Sequence, residues 1–568
     1  MNRQSFFKSL CLCATVLAMG LYSLPYAQAA AAPVSVPPAV WWRHAVIYEV
    51  YPRSFQDANG DGIGDLRGIT ARLDYLKALG VDTIWLSPIF PSPQVDFGYD
   101  ISNYTAIDPQ YGTMADFENL VRKARRRGIG IMLDGVFNHT SDQHPWFQDS
   151  RSAKTSPKRD WYIWADGRDG GPPNNWRSGF GGSAWQLDLK TGQYYYHAFY
   201  VQQPDLNWRN PQVVHAVEDV LRFWLDKGVV GFRLDAILKY YEDPTLKDAK
   251  TLPGVNAFGQ PRLDQSQMTN LPEVHDALRD LRKVVDSYPG HRVLIGEDYL
   301  DTPEKLRALY GAKNDELQLP MDMQLGFINS LSVPKFERAI ADAADKLDGN
   351  QPLFVFDNHD KPRSWDRYGD GVHNLAIARI IAAVLLTTRA TPLLYEGQEL
   401  GMPTTPPTRR EDVQDPLGRT GWPQNKGRDG ERTPMQWNNS ANAGFSTARK
   451  TWLPVAPGFQ TVNVKSELAD PDSLLNWYRR LIALRKSNPA LYEGDTRVLH
   501  NNENVLAYMR SRANARVIVL CNFSALPQAY PLPDGLVYRC TLASTFTCSG
   551  SSRVIELPPF GVWIGEAR

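Results

Sequence analysis

The chain has 568 residues, with 62 Lys and Arg against 62 Asp and Glu, so its formal charge is zero. That balance argues against a nucleic-acid binder, which needs a basic surface to neutralise phosphates. With 43% hydrophobic and 22% charged residues the composition is globular and argues against wholesale disorder. At roughly 150 residues per domain the length suggests three to four domains, although an α/β barrel uses about 250 or more as one unit.

Residues 1–29 read as an export signal: Arg3 and Lys8 form a basic start, residues 10–24 a mostly apolar run, and Ala27-Gln28-Ala29 a small-x-small cleavage site. The run is too short for a comfortable membrane span. The expectation is an exported protein, periplasmic or secreted, with no membrane anchor after cleavage. Cys11 and Cys13 leave with the signal, and Cys521, Cys540 and Cys548 remain. Cys540 and Cys548 flank a short hairpin-like stretch and suit pairing in an oxidising compartment; three buried free thiols are the alternative.

Short apolar runs predict strands at 46–50, 83–86, 131–136, 230–234, 293–295, 317–319, 353–356 and 393–395. Helical patterns fall at 66–79, 114–127, 213–227, 274–285, 303–309 and 376–386. This alternation predicts an α/β fold, a (β/α)8 barrel over 41–140 and 211–485. The intervening 141–210, rich in Trp, Gly, Asp and Pro, reads as a domain inserted after strand three. Alternating strands in 490–568 predict a C-terminal antiparallel β-sandwich.

In such a barrel, chemistry sits where strands end and βα loops begin. Strand three runs into Asp134, Asn138 and His139; strand four into Arg233 and Asp235; strand five into Glu297 and Asp298; strand seven into Asp357, Asn358, His359 and Asp360. Carboxylates facing one another across a pocket are what glycoside hydrolysis needs, one at the anomeric carbon and one protonating the leaving oxygen. Arg233, two residues before Asp235, projects to the same side of its strand and keeps that carboxylate ionised.

DGVFNH (134–139), GFRLDA (231–236), GEDYL (296–300) and FDNHD (356–360) resemble the four signature regions of the α-amylase family of glycoside hydrolases. QPDLN (203–207) is similar to a fifth region found in its oligo-1,6-glucosidase and α-glucosidase branch, as are VDTIWLSPIFPSP (81–93), GYDISNY (98–104) and RDGERTPMQW (428–437). The resemblance implies Asp235 as nucleophile, Glu297 as acid/base and Asp360 as transition-state stabiliser in a retaining double displacement. It implies that His139 and His359 bind hydroxyls of the −1 sugar, with Arg233 beside them, and that Tyr99 stacks beneath that sugar. It further implies that Asp100 and Arg432 pair to close the pocket, making the enzyme exo-acting. Asn138 and Asp134 are supports.

Asp57, Asn59, Asp61, the Ile63 carbonyl and Asp65 space oxygen ligands along a glycine-rich loop, which suits a structural Ca²⁺, with Mg²⁺ as a substitute. Gly68 stands where an EF-hand has its bidentate Glu, so this is no EF-hand. The branch has a matching calcium loop.

In this branch the residue after the nucleophile differs with linkage, Val with α-1,6 and Ala or Thr with α-1,4. Ala236 points to α-1,4-linked substrates such as maltose, by a margin of only about 1–3 kcal/mol. The loop His359–Trp365 lacks the arginine-rich pattern of sucrose isomerases, while Asp298 and 239–248 depart from the branch and bear on the +1 site. A transglucosylase or an oligo-1,6-glucosidase is the alternative. A non-catalytic ectodomain, like the transporter heavy chains similar to this branch, is disfavoured by the presence of all three carboxylates. The expected partner is an oligosaccharide or glucoside.

Overall fold

In the computed structural model, which describes residues 40–536, 538–547 and 553–567, parallel strands close into the expected barrel. They are β1 (Ile47–Val50), β2 (Thr83–Leu86), β3 (Gly130–Gly135), β4 (Gly231–Leu234), β5 (Val293–Gly296), β6 (Leu319–Asp322), β7 (Leu353–Val355) and β8 (Thr391–Tyr395). They pair in sequence order, and β8 returns to β1. The leader in 1–29 and Cys548 lie outside the described residues; the Cys540 thiol faces Glu566 at 3.4 Å.

Alternate residues of each strand serve two cores. Ile47, Trp85, Met132, Ile295, Met321, Val355 and Leu393 fill the barrel interior. Tyr48, Ile84, Leu133, Leu294, Phe354 and Leu394 face the helical layer. The inward register turns from apolar to charged at the C-terminal mouth: Ile47 leads to Glu49, Met132 to Asp134, Gly231 to Arg233 and Asp235, and Ile295 to Glu297. At Gly231 a Cβ would stand 2.0 Å from the Val293 carbonyl oxygen, so β4 lies this close to β5 only with glycine.

Several elements differ from expectation. The helix predicted over 66–79 is two, Leu66–Ala71 and Leu73–Leu79, divided at Arg72, whose guanidinium is held by Gln56 and over the Trp437 ring. β6 begins at Leu319, not 317, because Leu319 and Met321 are the residues that fill the interior. Helices Val333–Asp345 and Leu474–Ser487, following β6 and β8, were not among those predicted.

The insert after β3 carries a three-stranded sheet in the order Trp164–Ala165, Gln193–Tyr196, Trp185–Asp188. It returns to the barrel through a bridge between His139 and Asp205. An unpredicted hairpin, Thr251–Val255 with Pro261–Leu263, follows β4, and the backbone leading into it accepts a hydrogen bond from Trp176 of the insert. At the C-terminus a five-stranded antiparallel sheet faces a two-stranded one, with Ile518, Leu520, Tyr530, Ile555, Leu557 and Trp563 between them. No described helix is long and apolar enough to cross a membrane.

Candidate active site

Arg233 organises the mouth. From the inward register of β4, its Nη1 donates to Asp134 at 2.9 Å and to Asp235 at 2.7 Å, and its Nη2 lies 2.7 Å from Glu297. All four side chains are buried or nearly so. Burial opposes the charge on Arg233, but Asp134, Glu297, Tyr99 and Asp235 hold it firmly protonated. Burial outweighs the pull of Arg233 and pushes the Asp235 carboxyl well up, against the expectation that Arg233 by itself keeps it ionised. Glu297 is oriented by two further donors, the Ala236 N–H at 3.0 Å and the Tyr299 hydroxyl at 3.1 Å.

The floor is aromatic. The Tyr99 ring stacks on His359 at 5.3 Å, and His359 stacks on Tyr51 at 5.7 Å. The Tyr99 hydroxyl lies 3.0 Å from Asp134 and 2.8 Å from His359 Nε2. His139 faces the Tyr99 carbonyl at 3.0 Å and the Gln203 amide at 3.1 Å. Burial pushes His139 down to about 4, so it is neutral near pH 7. Tyr99, His139, Asp235, Ala236, Glu297 and Asp360 all line one pocket of ≈ 810 Å³.

Asp360 stands opposite. One oxygen accepts from Arg432 at 2.8 Å and from Arg428 at 3.0 Å, and the other lies 3.4 Å from His359. Burial alone would raise this carboxyl; His359, Arg428, Arg432 and Arg233 together hold it far below the usual range.

The expected pairing of Asp100 with Arg432 is not formed. Asp100 is fully buried and accepts from the Ser92 hydroxyl and from the Val95 and Asp96 N–H groups, so its oxygens are spent within its own turn. Arg432 instead holds Asp360 and the His359 carbonyl. Asp96 pairs instead with Arg428, at 2.7 Å, backed by Asp415 at 2.9 Å, and both Asp96 and Arg428 line the pocket. The sequence does not single out Asp96, Gln203 or Arg428, although Gln203 opens QPDLN and Arg428 opens RDGERTPMQW; Asp96 falls in the gap between 81–93 and GYDISNY (98–104). Asn138 donates to Asp205 of the insert at 3.0 Å.

The loop 57–65 lies apart from this pocket, after β1. Asp57 and Asp65 both accept from the Asn59 N–H, and the Asn59 side chain reaches Asp61 at 3.1 Å. Carboxylate, amide and backbone oxygens are the donor types a hard divalent cation takes. Their present partners are mostly N–H groups of the loop, and among the described residues no three acidic, His or Cys side chains are gathered around one point.

A parallel barrel whose mouth gathers Asp235, Glu297 and Asp360 in one pocket is the frame and site of a glycoside hydrolase. Residues 49–494 match the alpha amylase catalytic domain, and the chain belongs to the alpha-amylase family, in its oligo-1,6-glucosidase and α-glucosidase branch. It is 40% identical over 534 residues to the oligo-1,6-glucosidase of Parageobacillus thermoglucosidasius, covering 88% of this chain and 93% of that one. It is 38% identical over 560 residues to the alpha-glucosidase of Pediococcus pentosaceus, covering 92% and 98%. The solved structure of trehalulose synthase from Pseudomonas mesoacidophila superposes with a TM-score of 0.86 at 37% identity, over 94% of this chain and 100% of that one.

Proposed function

We propose that the protein is an exo-acting, retaining α-glucosidase that removes terminal glucose from α-1,4-linked oligosaccharides of the maltose type. The observation that carries this is the reach of Arg233, whose two terminal nitrogens lie 2.7 Å from Asp235 and 2.7 Å from Glu297. One guanidinium spanning both carboxyl groups keeps them close, in keeping with the ~5–5.5 Å separation of retaining enzymes.

Asp235 attacks the anomeric carbon while Glu297 protonates the departing glycosidic oxygen, leaving a glucosyl ester on Asp235. Glu297, now a carboxylate, takes a proton from water, and that water releases glucose and restores Asp235. Asp360, held anionic by two arginines, opposes the positive charge of the oxocarbenium-like transition state. Asp96, Arg428 and Asp415 close the pocket beyond the non-reducing end, which supports exo action. The small Ala236 beside Glu297 supports α-1,4 over α-1,6 linkage.

A second reading, transfer of glucose to a sugar hydroxyl in place of water, is favoured by the likeness to trehalulose synthase. Against sucrose isomerisation stands the loop after β7: Arg363 is buried and spends its guanidinium on the Glu396 and Glu431 carbonyls, so it gives the pocket no arginine. We further infer that Asp57, Asn59, Asp61, the Ile63 carbonyl and Asp65 hold a structural Ca²⁺, supported by donor type and spacing, and that the leader pattern in 1–29 directs export.

The test is glucose release by the mature chain from maltose and isomaltose side by side, with Asp235→Asn as control. Faster release from maltose, lost in the variant, is expected. Preference for isomaltose overturns the linkage reading, transfer products at high sugar favour the second reading, and normal turnover by Asp235→Asn overturns the nucleophile.

A further inference from the structure

The two ends of the pocket differ in how their charges are balanced. At the closed end every arginine has its carboxylates: Arg428 has Asp96, Asp360 and Asp415, Arg432 has Asp360, and Arg233 has Asp134, Asp235 and Glu297. The other end begins at Glu297, because the acid that protonates the leaving oxygen stands on the leaving-group side. Its wall includes Lys239, Asp298, Tyr299, Asp301, Lys305 and Lys361. Lys305 is paired with Asp301 at 2.7 Å. Asp298 is buried with one oxygen unpartnered among the described residues, and burial pushes its carboxyl well up, toward the neutral acid.

Lys239 and Lys361 are left over. Neither has a carboxylate within ion-pairing distance among the described residues. Lys239 follows the nucleophile in a short turn, Ile237–Lys239; burial pushes its ammonium down to about 8, and the acid that pulls it back up is Asp205, which is already bound by Asn138 and the Ala198 N–H. Lys361 follows Asp360, with its ammonium over the Tyr299 ring at 5.0 Å and the Phe327 ring at 5.8 Å. Tyr299 in turn donates to Glu297, which places Lys361 on the acid/base side. A neutral sugar needs no net charge from its site. Two ammonium groups without a directly paired carboxylate, on half-apolar walls (Leu238, Leu300), offer contacts to an anion with a small organic body.

We propose that the leaving-group subsite accepts an anionic aglycone, an α-glucoside whose non-sugar part carries a carboxylate held by Lys239 and Lys361. This rests on the α-glucosidase reading above and adds the charge of the group that departs. The reaction is unchanged: the glucosyl–oxygen bond breaks, Glu297 protonates the aglycone oxygen, and the carboxylate leaves with its alcohol.

The experiment compares kcat/KM for 4-carboxyphenyl and 4-carbamoylphenyl α-glucosides, which share shape and differ in charge, with maltose as reference. The expected result is a preference of about fivefold or more for the carboxylate, the size of a partly exposed ion pair. That preference falls toward one in about 0.5 M salt and in Lys239→Met and Lys361→Met. The salt arm is read on the unaltered protein, so it stands even where a variant folds poorly. A carboxylate-to-carbamoyl ratio of one or below, or a ratio indifferent to salt and to both variants, overturns the proposal. Cleavage of maltose with neither aryl glucoside turned over also overturns it and leaves the glucosidase reading intact. No glucose from any of the three overturns that reading itself.

Discussion

The Nδ1 atom of His359 lies 2.5 Å from the carboxyl group of Glu49, joining the first strand of the barrel to the loop after the seventh. Glu49 is fully buried, its second oxygen has no hydrogen-bond partner among the described residues, and burial pushes its carboxyl well up. From His359 the contacts run through the Tyr99 hydroxyl to Asp134 and on to Arg233. Glu49 is thus a positioning residue, linked to the catalytic guanidinium without lining the pocket.

Glu49→Leu removes the start of that chain. Loss of one strong buried hydrogen bond costs ~1.5 kcal/mol, so kcat on maltose falls about tenfold with a smaller change in KM. Glu49→Gln keeps a hydrogen-bonding group at the same place and recovers most of the rate. Steady-state kinetics of the two variants check this.

On the exo-acting reading, Asp96 and Arg428 close the pocket beyond the non-reducing end. Asp96→Asn weakens a charge-assisted contact and is expected to raise KM for maltose about tenfold, while substrates that extend past this end lose less. Rates on a maltose-to-maltotetraose series show whether the closed end sets the preference for short chains.

Ala236 has φ 47°, in the left-handed region, and this conformation aims its N–H at Glu297. A β-branched residue is strained there, so Ala236→Val costs about 1 kcal/mol of stability as well as narrowing the +1 site. The maltose-to-isomaltose rate ratio is expected to fall. Ala236→Gly relieves the backbone without narrowing the site, and leaves the ratio unchanged. Thermal unfolding and paired rates separate the two effects.

His144 caps the helix Pro145–Ser150 by accepting from the Trp146 N–H. Burial, helped by Lys158, pushes it down to about 3 from an ordinary 6.5. The folded protein therefore binds this proton less readily than the unfolded chain. The stability it contributes is present above pH ~6.5 and is lost as pH falls toward ~3. His144→Asn retains a capping oxygen and removes the titration, so the fall in unfolding free energy between pH 6 and 4 becomes shallower by up to roughly 1.4 kcal/mol per pH unit. Denaturant titrations at several pH values measure that slope.

If the loop 57–65 holds Ca²⁺, a chelator lowers Tm by a few degrees and added Ca²⁺ restores it. Asp61→Ala makes Tm insensitive to both. Activity measured well below Tm changes little, because the loop contributes no group to the pocket.

Much of this protein is legible along the chain. The period-two alternation that sends Met132 and Ile295 inward also sends Asp134 and Glu297 inward, so strand ends and candidate acids follow from local pattern. The segments that carry the resemblance hold Tyr99, His139, Asp235, Glu297, Asp360 and Arg428, whereas Asp96, Lys239, Lys305 and Lys361 of the same pocket lie outside them. Lys239 opens the segment 239–248 that bears on the +1 site and Lys361 follows Asp360, but nothing in their spacing shows that they have no carboxylate partner among the described residues.

The sequence by itself determined the barrel, its inserted and terminal parts, and the trio Asp235, Glu297 and Asp360. Only the tertiary structure decided which arginine meets which acid. Asp96 and Asp100 share one short segment, and both precede Arg428 and Arg432 by more than three hundred positions. The turn 92–100 spends the Asp100 oxygens on its own donors and leaves Asp96 to reach Arg428 across 332 residues. A motif fixes which side chains are present; hydrogen-bond satisfaction inside a folded turn fixes which of them remain available to pair.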